Sequence, residues 1–311
     1  MIDIKEKASV IVALVTPLSR EDVVNIDTTN RLVEYLLNTG VSGFYVCGST
    51  GEGLLISDEM RKTMLETVVK QVDGRVPVID HIGTLTTRRS VELATHAKES
   101  GADMISALPP LFYKFSFSEI KEHYYNIASA VNLPFIIYNI PGNTGIEINS
   151  QNISGFIKVL PTLRGIKYSS NNIYEMQKIK SIYSDKIMVF SGVDELFYHA
   201  LLMGIDGAIG TFFGLMPELY ITIRDLIFKG RLNEARKMYE ISNMIIEIFT
   251  ENGNYYSKVK EALKWIGFDC GICIKPFSNL SNSEISKIKN KLIIIKGKYA
   301  ETKNIAFLNM L

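Results

Sequence analysis

Short, mostly apolar runs rich in β-branched and aromatic residues recur along the first two thirds of the chain, at 10–15, 41–47, 76–82, 103–108, 134–140, 163–168, 187–191 and 205–210. They predict strands. The stretches between them have helical period and carry start signals. Ser57 is followed by Asp58 and Glu59, Ser116 and Glu119 have the spacing of a capping box, and Asn171-Asn172 precede IYEMQKIKSIY. Strands alternating with helices imply right-handed crossovers and a parallel sheet, and eight such units in roughly 210 residues fit a closed (β/α)8 barrel, the TIM-barrel α/β architecture. An open doubly wound sheet is the alternative. Beyond about residue 215 the strand signal stops. The segments 217–249, 255–266 and 283–296 read as helices, with breaks at Gly230, Gly253 and Gly267. No linker rich in Pro, Ser or Gly separates them from the barrel. The expected organisation is one domain, with a barrel over 1–215 and C-terminal helices over 216–311 packed on it.

Composition narrows the function classes. The 311 residues are 47% hydrophobic and 22% charged, enough to bury a large core, and this excludes disordered and disulfide-scaffold classes. Lys plus Arg number 34 against 33 Asp plus Glu, a formal net charge of +1, so no general field attracts nucleic acid or anionic lipid. Lys5 and Lys7 before the apolar run at 10–15 imitate a secretory signal, but the run is short, ends at Thr16-Pro17 and lacks a cleavage site. A buried first strand is the better reading, and no other run reaches the length of a membrane span. Cys47, Cys270 and Cys273 are odd in number and unevenly spaced, which suits reduced thiols in a cytoplasmic protein.

In a barrel the active site lies at the C-terminal ends of the strands, so strand endings are where chemistry is sought. The second strand ends in Gly48-Ser49-Thr50-Gly51-Glu52-Gly53. That loop can converge backbone N–H and hydroxyl groups on a small carboxylate, or be an ordinary βα loop. The sixth reads Gly165-Ile166-Lys167-Tyr168-Ser169-Ser170, with a lysine inside an apolar run. In a closed barrel Lys167 points inward or to the rim, where leaving water favours the uncharged amine that attacks a carbonyl. The fifth ends in Tyr138, whose hydroxyl can shuttle protons over the mouth or simply be satisfied in the core. On the seventh, Asp194 and Glu195 face substrate or cap the next helix. Cys270 and Cys273 have CxxC spacing without a second pair and read as two buried thiols; the four histidines share no metal-ligand spacing, so no metal is expected. Leu111-Phe112-Tyr113-Lys114-Phe115 reads as a subunit contact or a pocket lid.

Taken together, GSTGE at 48–52, YNIPGNTG at 138–145 and GIKYSS at 165–170 resemble the dihydrodipicolinate synthase and N-acetylneuraminate lyase family, over nearly the whole chain from Val15-Thr16-Pro17 to Lys275-Pro276-Phe277. The resemblance implies a class I aldolase barrel, usually a homotetramer, with no external cofactor. It implies Lys167 as the Schiff-base lysine for a pyruvate-type 2-oxo acid, Tyr138 as the proton-transferring phenol, and Ser49 and Thr50 as holders of the pyruvoyl carboxylate. Three features are similar to the sialic acid lyase branch: Asp194-Glu195 in SGVDELF, Asp80-His81-Ile82-Gly83, and Phe115-Ser-Phe117. Gly192, Ser169 and Thr211 match further substrate contacts. The synthase branch usually carries an arginine where this chain has Asn143 and an acidic residue where it has Tyr168. The resemblance thus implies cleavage of N-acetylneuraminate to pyruvate and N-acetylmannosamine. The synthase reaction with aspartate semialdehyde, another 2-keto-3-deoxy sugar acid aldolase, and a non-enzymatic keto-acid-binding regulator are the alternatives. Many members place a neighbouring subunit's tyrosine beside the catalytic one; Phe112 falls there, with Tyr113 next along.

Overall fold

Each apolar run becomes a strand because its branched and aromatic side chains fill a pleated surface packed from both sides. The computed structural model describes residues 8–311, so Lys5 and Lys7 lie outside the described residues. The barrel strands are β1 (Ser9–Ala13), β2 (Gly43–Val46), β3 (Val78–His81), β4 (Met104–Ala107), β5 (Phe135–Asn139), β6 (Leu163–Tyr168), β7 (Met188–Ser191) and β8 (Gly207–Gly210). They are parallel and closed, with β1 paired to both β2 and β8. The register from Ser9 opposite Gly207 to Val12 opposite Gly210 seals the ring and excludes the open sheet.

A longer helix follows each strand: α1 (Ile26–Thr39), α2 (Asp58–Val72), α3 (Thr87–Glu99), α4 (Phe117–Val131), α5 (Ile153–Val159, after a one-turn helix at Pro141–Thr144), α6 (Ile173–Tyr183), α7 (Phe197–Leu202) and α8 (Pro217–Phe228). Ser57, Ser116 and Asn172 are N-caps, accepting from the N–H groups of Met60, Glu119 and Glu175, and Ser116 with Glu119 forms the reciprocal box. Beyond the ring lie α9 (Leu232–Thr250), α10 (Tyr255–Trp265) and α11 (Asn282–Lys298). They are tied to the barrel by contacts such as Phe212 against Phe249, 5.7 Å between ring centroids, and the Leu18 N–H donating to the Cys270 carbonyl at 3.0 Å. Cys270 and Cys273 are buried free thiols. Among the described residues no helix is long and apolar enough to cross a membrane.

Two details depart from the sequence pattern. β1 stops at Ala13, although Leu14 prolongs the ladder by donating its N–H to the Tyr45 carbonyl at 3.0 Å. A small antiparallel hairpin, Leu18–Arg20 with Val23–Val24, follows it; elements this short leave no period to read.

Alternation along the strands sorts side chains into two cores. Ile11, Ala13, Tyr45, Ile79, Ile136, Tyr138, Phe190 and Ile209 fill the barrel, while Phe44, Val46, Phe135, Ile137, Ile166 and Tyr168 face the helices. Lys167 lies between two outward residues on β6 and therefore enters the barrel interior.

Candidate active site

Register brings the chemistry together. Tyr138 on β5 is paired with Lys167 on β6, and Lys167 with Phe190 on β7. Lys167 is only 4% exposed. Its amine sits between two aromatic faces, with Nζ 4.2 Å from the Tyr138 ring centroid and 4.3 Å from that of Tyr45. Both rings are held. Tyr45 donates its hydroxyl to Ser106 Oγ at 2.9 Å, and His81 packs edge-on against Tyr138 with centroids 5.7 Å apart. Burial, reinforced by the charges of Arg61 and Lys167, holds the His81 pKa well below its ordinary range, so the imidazole is neutral; its Nδ1 faces the Cys47 carbonyl at 3.2 Å.

The loop after β2 covers this pair. Ser49 Oγ is 3.3 Å from the Tyr138 hydroxyl, and Thr50 Oγ1 is 2.6 Å from Thr211 Oγ1 at the end of β8. Thr16 braces the turn from below by donating to the Gly51 carbonyl at 2.7 Å. Hydroxyls from two loops therefore converge above Lys167, as recognition of a small carboxylate requires.

The acidic pair forms another wall. Asp194 does not cap the helix that follows it: the turn Asp194–Leu196 and α7 both begin without a side-chain cap. Its Oδ2 instead accepts the Phe212 N–H at 2.9 Å, across the chain from β8. Burial pushes the Asp194 pKa up to about 7 against the pull of that N–H, and nearby Glu195 adds to the rise. The half-buried Glu195 is steadied through its backbone carbonyl, which accepts the Tyr239 hydroxyl at 2.7 Å. Glycine is needed at two points in this wall. A Cβ on Gly192 would fall 1.9 Å from Ser169 Oγ, and one on Gly210 would fall 1.8 Å from Asp194 Oδ1.

Lys167, Tyr138, Ser49, Thr50, Ser169, Gly192, Asp194, Glu195 and Thr211 all line one cavity of about 390 Å³ at the C-terminal ends of the strands. Asn143 also lines it, from the one-turn helix Pro141–Thr144. Among the lining residues that escaped the sequence reading are Thr250, Tyr255 and Tyr256 of the C-terminal helices. Tyr255 donates its hydroxyl to that of Tyr256 at 3.0 Å. Two adjacent tyrosines opening a helix were the available signal, but nothing local says that the helix returns to the barrel mouth. Phe112 and Tyr113 are 89% and 70% exposed and lie outside this cavity lining. Among the described residues no three His, Cys, Asp or Glu side chains gather as a metal site.

The closed barrel and a polar, lysine-containing cavity at its C-terminal face define an enzyme-type (β/α)8 barrel. The dihydrodipicolinate synthetase family model matches residues 6–295, and the chain belongs to that family, at which level it is a pyruvate-dependent aldolase of the oxo-acid lyase class. Over 279 residues it is 32% identical to an N-acetylneuraminate lyase of Rhizobium meliloti, covering 89% of this chain and 91% of that one. Over 287 residues it is 32% identical to an N-acetylneuraminate lyase of Citrobacter koseri, covering 92% and 96%. Among solved structures it resembles a catalytic-lysine mutant of Ruminococcus gnavus sialic acid aldolase, with a TM-score of 0.89 and 32% identity over 94% of this chain and 97% of that one.

Proposed function

We propose that this protein cleaves N-acetylneuraminate to pyruvate and N-acetylmannosamine through a Schiff base on Lys167. The observation that carries the reading is the pairing of Lys167 with Tyr138 on adjacent strands, beneath the Ser49 and Thr50 hydroxyls and beside the Asp194–Glu195 wall. Lys167 Nζ attacks the C2 ketone of the open-chain sugar acid and water leaves, forming an iminium. The C3–C4 bond breaks, its electron pair moving into the iminium to give an enamine, while the C4 hydroxyl proton passes to the Tyr138 oxygen as Tyr138 hands its own proton to the substrate carboxylate. N-acetylmannosamine departs, C3 of the enamine is reprotonated, and water releases pyruvate and restores the amine. Ser49 and Thr50 hold the carboxylate; Ser169, Gly192, Asp194, Glu195 and Thr211 contact the hydroxylated remainder.

Two features favour a sugar acid over aspartate semialdehyde. Asp194 and Glu195 accept hydrogen bonds from hydroxyls, the Glu195 carboxylate repels a second carboxylate, and Asn143 supplies no cation to hold one. We further propose a homotetramer in which the exposed Phe112 and Tyr113 meet a neighbouring copy; sedimentation at micromolar concentration checks this, and a stable monomer refutes it. Assays of N-acetylneuraminate cleavage and of pyruvate condensation with aspartate semialdehyde, run side by side, test the reaction. Cleavage without condensation is expected. Condensation without cleavage transfers the assignment to the synthase reaction, and pyruvate binding with neither turnover makes the protein a binder.

A further inference from the structure

The hydroxyl loop and the Tyr255–Tyr256 wall are joined by one buried ion pair. Lys260 Nζ lies 2.7 Å from Glu52 Oε1, with the two side chains 1% and 0% exposed. Glu52 belongs to the loop that carries Ser49 and Thr50, and its N–H closes a turn onto the Ser49 carbonyl at 3.0 Å. Lys260 stands four residues after Tyr256 on α10, hence on the same helix face. The remaining polar capacity of both groups is directed as well. Lys260 donates to the Ile272 carbonyl at 2.8 Å, and Glu52 Oε2 accepts the Ile274 N–H at 2.5 Å. Glu52 also holds a left-handed backbone, φ 56°, which is strained for a non-glycine residue and persists only where surroundings enforce it.

Stability does not call for this arrangement. Desolvating both ions is costly, and an apolar pair of similar volume is often as stable or more so. What the pair supplies is a fixed distance between one wall that holds Ser49 and Thr50 and another that holds Tyr255 and Tyr256, with each group oriented by its hydrogen bond to the 272–274 segment. We infer that Glu52 and Lys260 are positioning residues: their ion pair sets the spacing across the cavity and so the fit of the substrate's carboxylate against Ser49 and Thr50. The inference rests on the proposed Schiff-base function of the same cavity.

The test is the double variant Glu52→Gln/Lys260→Met, which removes both charges together and so leaves neither ion buried alone. Three quantities are compared with the parent: melting temperature, the pyruvate concentration that half-saturates borohydride-trapped adduct on Lys167, and hydrogen exchange of amides 48–53. The variant should fold, its half-saturating pyruvate should rise about tenfold while trapping at saturating pyruvate changes little, and the loop amides should exchange faster. A purely structural pair would shift melting alone. A folded variant with unchanged half-saturation and unchanged loop exchange overturns the inference. If the double variant does not fold, Lys260→Arg, which keeps the charge but lengthens the reach, must shift half-saturation and loop exchange in the same direction, and parental values for both overturn it. A parent that traps no pyruvate instead defeats the proposed function, and loop exchange alone then decides whether the clamp exists.

Discussion

Replacing Tyr138 by Phe removes one hydroxyl from the centre of the cavity and little else. The ring keeps its edge contact with His81 and its face toward Lys167, so the amine stays where it is. Among the described residues the one hydrogen bond at stake is the 3.3 Å contact with Ser49, long enough that its loss should cost folding no more than about 0.5–1.5 kcal/mol. The chemical loss should be larger. If the phenol carries the C4 proton, its removal withdraws general acid–base catalysis, a factor on the order of 10² to 10⁴ in cleavage, or about 3–5 kcal/mol of barrier. Single-turnover cleavage of N-acetylneuraminate, with borohydride trapping of pyruvate in parallel, separates the proton step from imine formation. The expected result is a collapse of cleavage with adduct formation better preserved. Cleavage within a few-fold of the parent would show that water or another group carries the proton, and the role given to Tyr138 would be wrong.

The acidic wall gives a second prediction. Glu195→Gln and Asp194→Asn should each weaken kcat/KM for the sugar acid by about tenfold, each losing a carboxyl oxygen that accepts from a substrate hydroxyl, while pyruvate trapping on Lys167 stays near parental. An equal loss in both assays would mean that the acids serve the lysine end. Gly192→Ala drives a methyl into Ser169 Oγ, 1.9 Å away, and should depress adduct formation and sugar cleavage together; parental trapping would refute that crowding. Asp80 gives a pH signature. Burial lifts its carboxyl to about 7, against the pull of Arg61, whereas an unfolded aspartate titrates near about 3.9. The folded state then binds that proton more tightly, so the group's contribution to stability falls as pH rises from about 4 to about 7. Asp80→Asn removes this dependence, and its Tm relative to the parent should be higher at pH 8 than at pH 5; a pH-independent difference would contradict it.

The barrel was legible because every strand of a closed parallel sheet is packed on both faces, so its sequence stays apolar from end to end and stands out from the helices. Lys167 was legible for the same reason: a cation inside such a run needs an account. What escaped were contacts that depend on long-range return of the chain. Tyr255 and Tyr256 open an amphipathic helix, and only the packing of the C-terminal helices brings them to the mouth. Asp194 read equally well as a helix cap, because the Phe212 N–H that its carboxylate meets lies 18 residues away, after the next strand. Glu52 read as the end of a glycine-rich loop, and its partner Lys260 as one more helix lysine. Tyr45 and His81 read as strand residues, and the packing of Tyr45 against the amine and of His81 against Tyr138 follows only once the ring closes.

The central claim is that Lys167 is a nucleophile toward a 2-oxo acid. Borohydride reduction of the protein with pyruvate, followed by intact-mass and peptide mass spectrometry, tests it most directly. The account predicts a single reduced pyruvate adduct, located on Lys167 and lost in Lys167→Ala. A folded protein that gains no mass, or carries the adduct on a different lysine, would contradict it.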